Sequence, residues 1–162
     1  MILYHVSKIV IMDAEIENEI ISVISDCPMS DLDDKLSKYE HLNVVEIVAS
    51  GWIEDVDRVM YVLKKYRSSY TDNWLMQTCA YDLETNILKA MHEYGINLDA
   101  VYELNGKKTN YFTEMCSIKY DFSKFTFIVM DNLYFLFKAG CTYIPGVHEY
   151  MNDDAEKYLN LQ

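Results

Sequence analysis

The chain has 162 residues, 26 acidic and 14 basic, for a net charge of −12. That is one domain's worth of chain, and with 51% hydrophobic and 25% charged residues it is too apolar to be disordered and too interrupted by charge to be a membrane protein. A polyanion lacks the Lys and Arg surplus that neutralises phosphates, which excludes a direct reader of DNA or RNA, though not a protein that competes with nucleic acid for a basic partner.

The four cysteines, Cys27, Cys79, Cys116 and Cys141, are far apart and form no C-x-x-C pair, so neither a zinc ribbon nor a redox motif is expected. The apolar start "MILYHVSKIVIM" is short, broken by His5 and Lys8, and followed by acids rather than a small-residue cleavage site. The expectation is a reduced, cytoplasmic protein with neither a signal peptide nor a spanning helix.

Only 5 Gly and 2 Pro interrupt the chain, which favours helices over hairpins. "DAEIENEIISVIS" puts Ile16, Ile20, Val23 and Ile24 on one helical face, with Asp13 as N-cap, and Cys27 and Pro28 end it. In "SDLDDKLSKY", Ser30 precedes an acidic turn and Leu32, Leu36 and Tyr39 follow at i, i+4, i+7, predicting a second short helix.

From Leu42 a unit recurs about three times, a short apolar segment followed by a longer amphipathic helix and an extended stretch. The units read "LNVVEIVASGWIEDVDRVMYVLKKYRSSY", "NWLMQTCAYDLETNILKAMHEYGINLDAVYELNG" and "KTNYFTEMCSIKYDFSKFTFIVMDNLYFLFKAGCTYIPG". Val48, Ala80 and Cys116 take equivalent places late in the short helix, at intervals of 32 and 36 residues, and Gly95 and Gly140 close the second and third long helices. A period in this range with two helices per period predicts a helical solenoid.

The second unit carries the resemblance to a known family. "CAYDLETNILKAMHEYGINLDA" lies without gaps on the ankyrin pattern that ends in "GADVNA". Cys79 and Ala80 fall at its paired small positions, Ile87, Leu88 and Met91 at its apolar positions, then Gly95 and Asp99. "ASGWIEDV" is similar to the family's helix–helix link, with Gly51 and Trp52 in place of Gly-His. "NGKKTNYF" is similar to a degraded G-x-T-P-L-H, with Gly106 and Thr109 retained and Asn110 in place of Pro. No unit keeps an intact T-P-L-H, and the third has a long inter-helix segment, "KYDFSKFTFIV". In style the units are similar to divergent ankyrin-like proteins of large DNA viruses, of the poxvirus kind. The resemblance implies an all-α, single-domain stack of about three helix pairs: residues 1–41 an N-terminal helical cap, 42–146 the repeats, 147–162 a C-terminal cap or tail. The acidic ends "DAEIENE" and "YMNDDAEKYLNLQ" would supply its polar outer faces.

No constellation of residues calls for catalysis, and no enzyme, cofactor or metal is expected. Cys79 and Cys116 recur at a packing position, where a thiol serves as a small hydrophobe. His5, His41, His92 and His148 share no metal or triad spacing and are read as surface or capping residues. The acidic clusters Asp31-Asp33-Asp34, Glu54-Asp55-Asp57 and Asp153-Asp154-Glu156 lack the Gly and terminal Glu of a calcium loop and suit helix N-termini instead. "NGKKT" lacks the upstream glycine of a phosphate loop.

What remains is recognition. Tyr61, Tyr66, Tyr94, Tyr134, Phe135 and Phe137 lie within long helices and are expected mostly to pack. Placement on the ankyrin frame puts Asp72, Trp74, Tyr81, Tyr102, Lys107 and Tyr111 on the concave face and fingertips, where the family docks its partners. Trp and Tyr make good anchors there, offering large area with few rotors and a polar tip, although Trp74 suits a packing role equally. The leading expectation is therefore a non-enzymatic, protein-binding module, in the viral case one that antagonises a host defence or regulatory protein. The alternative is an acidic decoy that imitates nucleic acid before a basic protein.

Overall fold

Apolar residues at three- and four-residue spacing give the chain its helices, and the first is α1, Ala14–Asp26, in a computed structural model that describes residues 14–119 and 124–160. Ile20 and Ile24 are fully buried as the spacing requires, while Ile16 at the frayed start stays 37% exposed. The expected cap Asp13, like residues 1–12, lies outside the described residues. α2, Leu32–Leu36, runs on into a single 3-10 turn, and Leu32, Leu36 and Tyr39 are buried together.

Then come α3 (Val44–Ala49), α4 (Val56–Lys65), α5 (Asp72–Thr78), α6 (Thr85–Tyr94), α7 (Tyr111–Cys116), α8 (Lys124–Lys138) and α9 (Asp153–Leu159). The fold is mostly helical, as expected, with one addition. β1 (Tyr102–Leu104) and β2 (Lys107–Thr109) form an antiparallel hairpin that pairs Tyr102 with Thr109 and Leu104 with Lys107. Its turn is Asn105-Gly106, with φ of 52° and 76°, the left-handed pair that a two-residue hairpin needs. Gly106 is therefore a strand turn, where helical patterning alone had suggested none.

The helices pack in two rows. α1, α3 and α5 touch in succession, and α5 reaches β1; α4, α6 and α8 touch in succession behind them, with α7 against α8 and α9 against both. The apolar faces of the rows meet in one core that runs from Ile20 to Ala155 and includes Val48, Leu63, Leu75, Leu88, Phe112 and Leu136. Backbone bonds stitch neighbours together: Ala80 N–H donates to the Ala49 carbonyl at 2.9 Å, and Asn152 N–H to the Cys116 carbonyl at 2.8 Å. Arg58 ties α4 to the end of α1, its guanidinium donating to the Ile24 and Cys27 carbonyls at 2.5 and 2.8 Å.

The glycine-terminated helices end alike. Gly95 and Gly140 have φ of 94° and 83°. Ile96 N–H donates to the Met91 carbonyl and Cys141 N–H to the Leu136 carbonyl, both at 3.0 Å, so each end satisfies carbonyls that the helix itself leaves open.

Two expectations need correction. Ala80 does not lie in a short helix: α5 stops at Thr78, and Ala80 sits in the link, held by its bond to Ala49. The long inter-helix segment of the third unit is largely helix, because α8 begins at Lys124. In the C-terminal segment, expected as a cap or tail, Ala155 and Asn152 are fully buried and α9 packs against α7 and α8.

Candidate functional site

Of the six residues expected to meet a partner, most turn out to hold the structure together. Tyr111 is fully buried at the start of α7, and its hydroxyl donates to the Ala80 carbonyl at 2.5 Å. Burial drives its hydroxyl far above the ordinary tyrosine range. Tyr102, on β1, is 7% exposed and its pKa is likewise raised by burial. Both are therefore corrected from docking anchors to core residues: a ring without exposed surface has no area to give a partner. Tyrosine invites this misreading because it is an apolar body with a polar tip, and in Tyr111 both find partners inside.

Asp72, at the start of α5, meets the Arg67 guanidinium at 2.7 Å and accepts from Asn97 N–H at 3.0 Å, locking α5 to the loop after α6. Lys107, exposed on β2, donates to the Val147 carbonyl at 2.8 Å and so ties the hairpin to the C-terminal loop. Trp74 is half-buried against the core, one turn from the Thr71 cap. Tyr81 alone shows a substantial ring surface, 39% exposed, tilted on Tyr111 with centroids 5.7 Å apart.

A polar network at the base of the hairpin was not expected from the sequence. Asn110, fully buried, caps α7 by accepting from Thr113 N–H at 2.8 Å, while its Nδ2 donates to Asp99 at 2.8 Å and to the Thr142 carbonyl at 2.7 Å. Asn152 repeats the device for α9: it accepts from Ala155 N–H at 2.8 Å and donates to the Met115 carbonyl at 3.1 Å. Between them the Glu114 carboxylate, nearly buried, accepts from the Thr109 hydroxyl at 2.6 Å and meets His148 Nε2 at 2.9 Å. His148 is thus corrected from a surface histidine to a partly buried brace. These partners lie 31 or more residues apart in several cases, as with Asn110 and Thr142, beyond what local patterning can reveal.

The reactive groups have been quieted. Cys79, Cys116 and Cys141 are buried, and burial pushes each thiol up to about 12, against the thiolate a nucleophile needs. Among the described residues no group of His, Cys, Asp and Glu is arranged to hold a metal ion. Within the acidic clusters Asp33 accepts from Lys65 and Tyr61, Asp55 caps α4 through Arg58 N–H at 3.1 Å, and the acids of α9 fill its first turn. A depression of about 230 Å³ lies between the loops after α6 and α8, but Asp99 in its wall is already bonded to Asn110 and to Thr142 N–H. No helix among the described residues is long and apolar enough to cross a membrane.

Exposed aromatics outside the six expected residues include Phe127 and Tyr134 on α8, 73% and 50% exposed, and Trp52, 68% exposed in the link between α3 and α4. Its neighbours fix it. Gly51 holds the left-handed φ of 82° that favours glycine and lies in ordinary packing contact with Ala80 and Asp82, and Ile53 on the other side is 2% exposed. The indole is therefore presented from a pinned backbone. The next link repeats the plan with Tyr81-Asp82-Leu83-Glu84, where Leu83 is buried at the place of Ile53. A similar order, Tyr120-Asp121-Phe122, recurs before α8 but lies outside the described residues.

Comparison with protein-family models, with curated proteins and with solved structures finds no significant match to this chain.

Proposed function

We propose that the protein is a non-enzymatic recognition module, an ankyrin-like stack of helix pairs that binds another protein through exposed aromatic side chains on its links. The observation that carries this reading is Trp52, a large indole left in water on a backbone pinned by Gly51 and Ile53. Single exposed apolar residues are ordinary, but an indole flanked by the left-handed Gly51 and the buried Ile53 offers the area and low rotor cost of an interface anchor.

The repeat reading is supported by the two rows of helices, the matched endings at Gly95 and Gly140, and the matched buried caps Asn110 and Asn152. The likeness of the units to ankyrin-like proteins of large DNA viruses is the ground for taking the partner to be a host defence or regulatory protein met in the cytoplasm. Affinity capture from a host lysate tests this: a partner retained by Tyr111→Phe and lost with Trp52→Ala is the expected result. Failure to recover any specific partner, together with turnover of a small molecule, would overturn it. Capture that ignores Trp52→Ala but vanishes at high salt would favour the acidic decoy instead.

A further inference from the structure

We infer that the edge formed by the α3–α4 and α5–α6 links takes a basic peptide segment, its aliphatic stems on Trp52 and its Lys or Arg charges facing Glu54, Asp57, Asp82 and Glu84. This rests on the reading of the protein as a recognition module and adds the place of contact and the chemistry of the partner.

The two links form a continuous surface, because Gly51 packs on Ala80 and Asp82 and the Ala80 N–H bonds the Ala49 carbonyl. Ile53 and Leu83 point into the core and hold both links in place. The exposed positions are then Trp52 and Glu54 on one link and Tyr81 on the other, with Asp57 exposed at the start of α4 and the half-buried Asp82 and Glu84 beside them at the start of α6.

This edge brings carboxylates that lack a cation of their own beside an exposed indole. Elsewhere Asp33 has Lys65, Asp72 has Arg67 and Glu114 has His148. Among the described residues Glu54, Asp57, Asp82 and Glu84 make no side-chain hydrogen bond or ion pair. Arg58, next to Asp57 on α4, is turned inward onto the Ile24 and Cys27 carbonyls, and its Nε lies 3.5 Å from Asp55, which caps the helix.

Charge then selects the occupant. A nucleic acid or an acidic peptide is repelled, and so is a second copy of a chain carrying −12. A basic segment gains from both features at once, because a cation is attracted to an indole face and a Lys or Arg stem covers apolar surface while its head reaches a carboxylate.

The test uses the full chain with Trp74→Phe, so that Trp52 is the sole indole, and a short synthetic peptide alternating Lys, Arg and Leu. The expected result is a saturable shift of Trp52 emission that fades with added salt and is absent for the same peptide with Gln at every basic position. Combining Glu54→Gln, Asp57→Asn, Asp82→Asn and Glu84→Gln should weaken binding by about tenfold or more. Removing the same charge elsewhere, with Glu93→Gln, Asp153→Asn, Asp154→Asn and Glu156→Gln, should cost far less; circular dichroism checks that both variants fold.

Equal loss in the two variants, or equal binding of the Gln peptide, would overturn the inference. So would concentration-dependent dimers in sedimentation that Trp52→Ala abolishes, since a second copy would then be the occupant. If the peptide fails while a lysate partner is still captured by the Trp52→Ala and edge-neutralised chains, this edge is wrong and the recognition reading stands. Should the peptide bind as described while no protein partner is ever captured, the edge stands and the wider reading falls.

Discussion

The hairpin base and the link edge treat polar side chains in contrary ways. Around Asn110, amide, carboxylate and imidazole groups from β2, α7 and the loop before α9 are turned inward and paired. Around Trp52, carboxylates of the same chain stand without side-chain partners beside an indole that is mostly in water. A buried polar group without a partner costs far more than an exposed one, so the first region has to be fully satisfied to exist at all. The second is under no such constraint, and what it displays is left free for another molecule.

The largest expected effect breaks the satisfied side. Asn110→Ala deletes the α7 cap and the Nδ2 bonds to Asp99 and to the Thr142 carbonyl, which should cost about 2–4 kcal/mol, read as a lower urea midpoint at unchanged slope. A loss below half a kcal/mol would mean that the network does not hold the hairpin base. Tyr111→Phe is gentler: it removes one hydrogen bond, to the Ala80 carbonyl, but keeps the ring, so about 1 kcal/mol of stability should go. Partner binding should stay unchanged, and a variant that is fully stable yet blind to its partner would restore Tyr111 as an anchor.

Smaller still is the acid limb set by Asp33. Hydrogen bonds from Lys65 and then Tyr61 hold its carboxyl below the ordinary value of 3.8. A carboxyl lowered on folding stabilises the fold above its unfolded pKa and loses that contribution as pH falls through the folded value. Asp33→Asn should therefore flatten the acid side of the stability profile slightly and leave neutral pH nearly untouched, because the group is exposed. Smallest of all is Trp52→Ala, which should change stability by less than about 0.5 kcal/mol, since the indole packs so little. A large loss there would show that the edge is a folding element rather than a display.

The helices were legible because apolar spacing is a local signal, as at Leu32, Leu36 and Tyr39, and so were the helix ends at Gly95 and Gly140. Asn105-Gly106 is also a local signal, but laying that stretch on a repeat motif hid its hairpin meaning. Asn110 was unreadable for a different reason: a polar residue looks exposed until its non-local partners Asp99 and Thr142 are in place. Trp52 was overlooked at the place of a family His, and its exposure follows from the packing of Gly51 on the next link, 31 residues on to Asp82. Of the expected docking aromatics, Tyr102 on β1 and Tyr111 on α7 went into the core, because their packing partners are set by contacts that local patterning does not show.

The most direct test follows backbone amide shifts of the isotope-labelled full chain while the basic Lys, Arg and Leu peptide is added. A display edge predicts contiguous perturbations over Gly51–Asp57 and Tyr81–Glu84, with the hairpin from Tyr102 to Thr109 silent. Perturbations gathered on α5 and the hairpin, with Trp52 and its neighbours unmoved, would contradict the account.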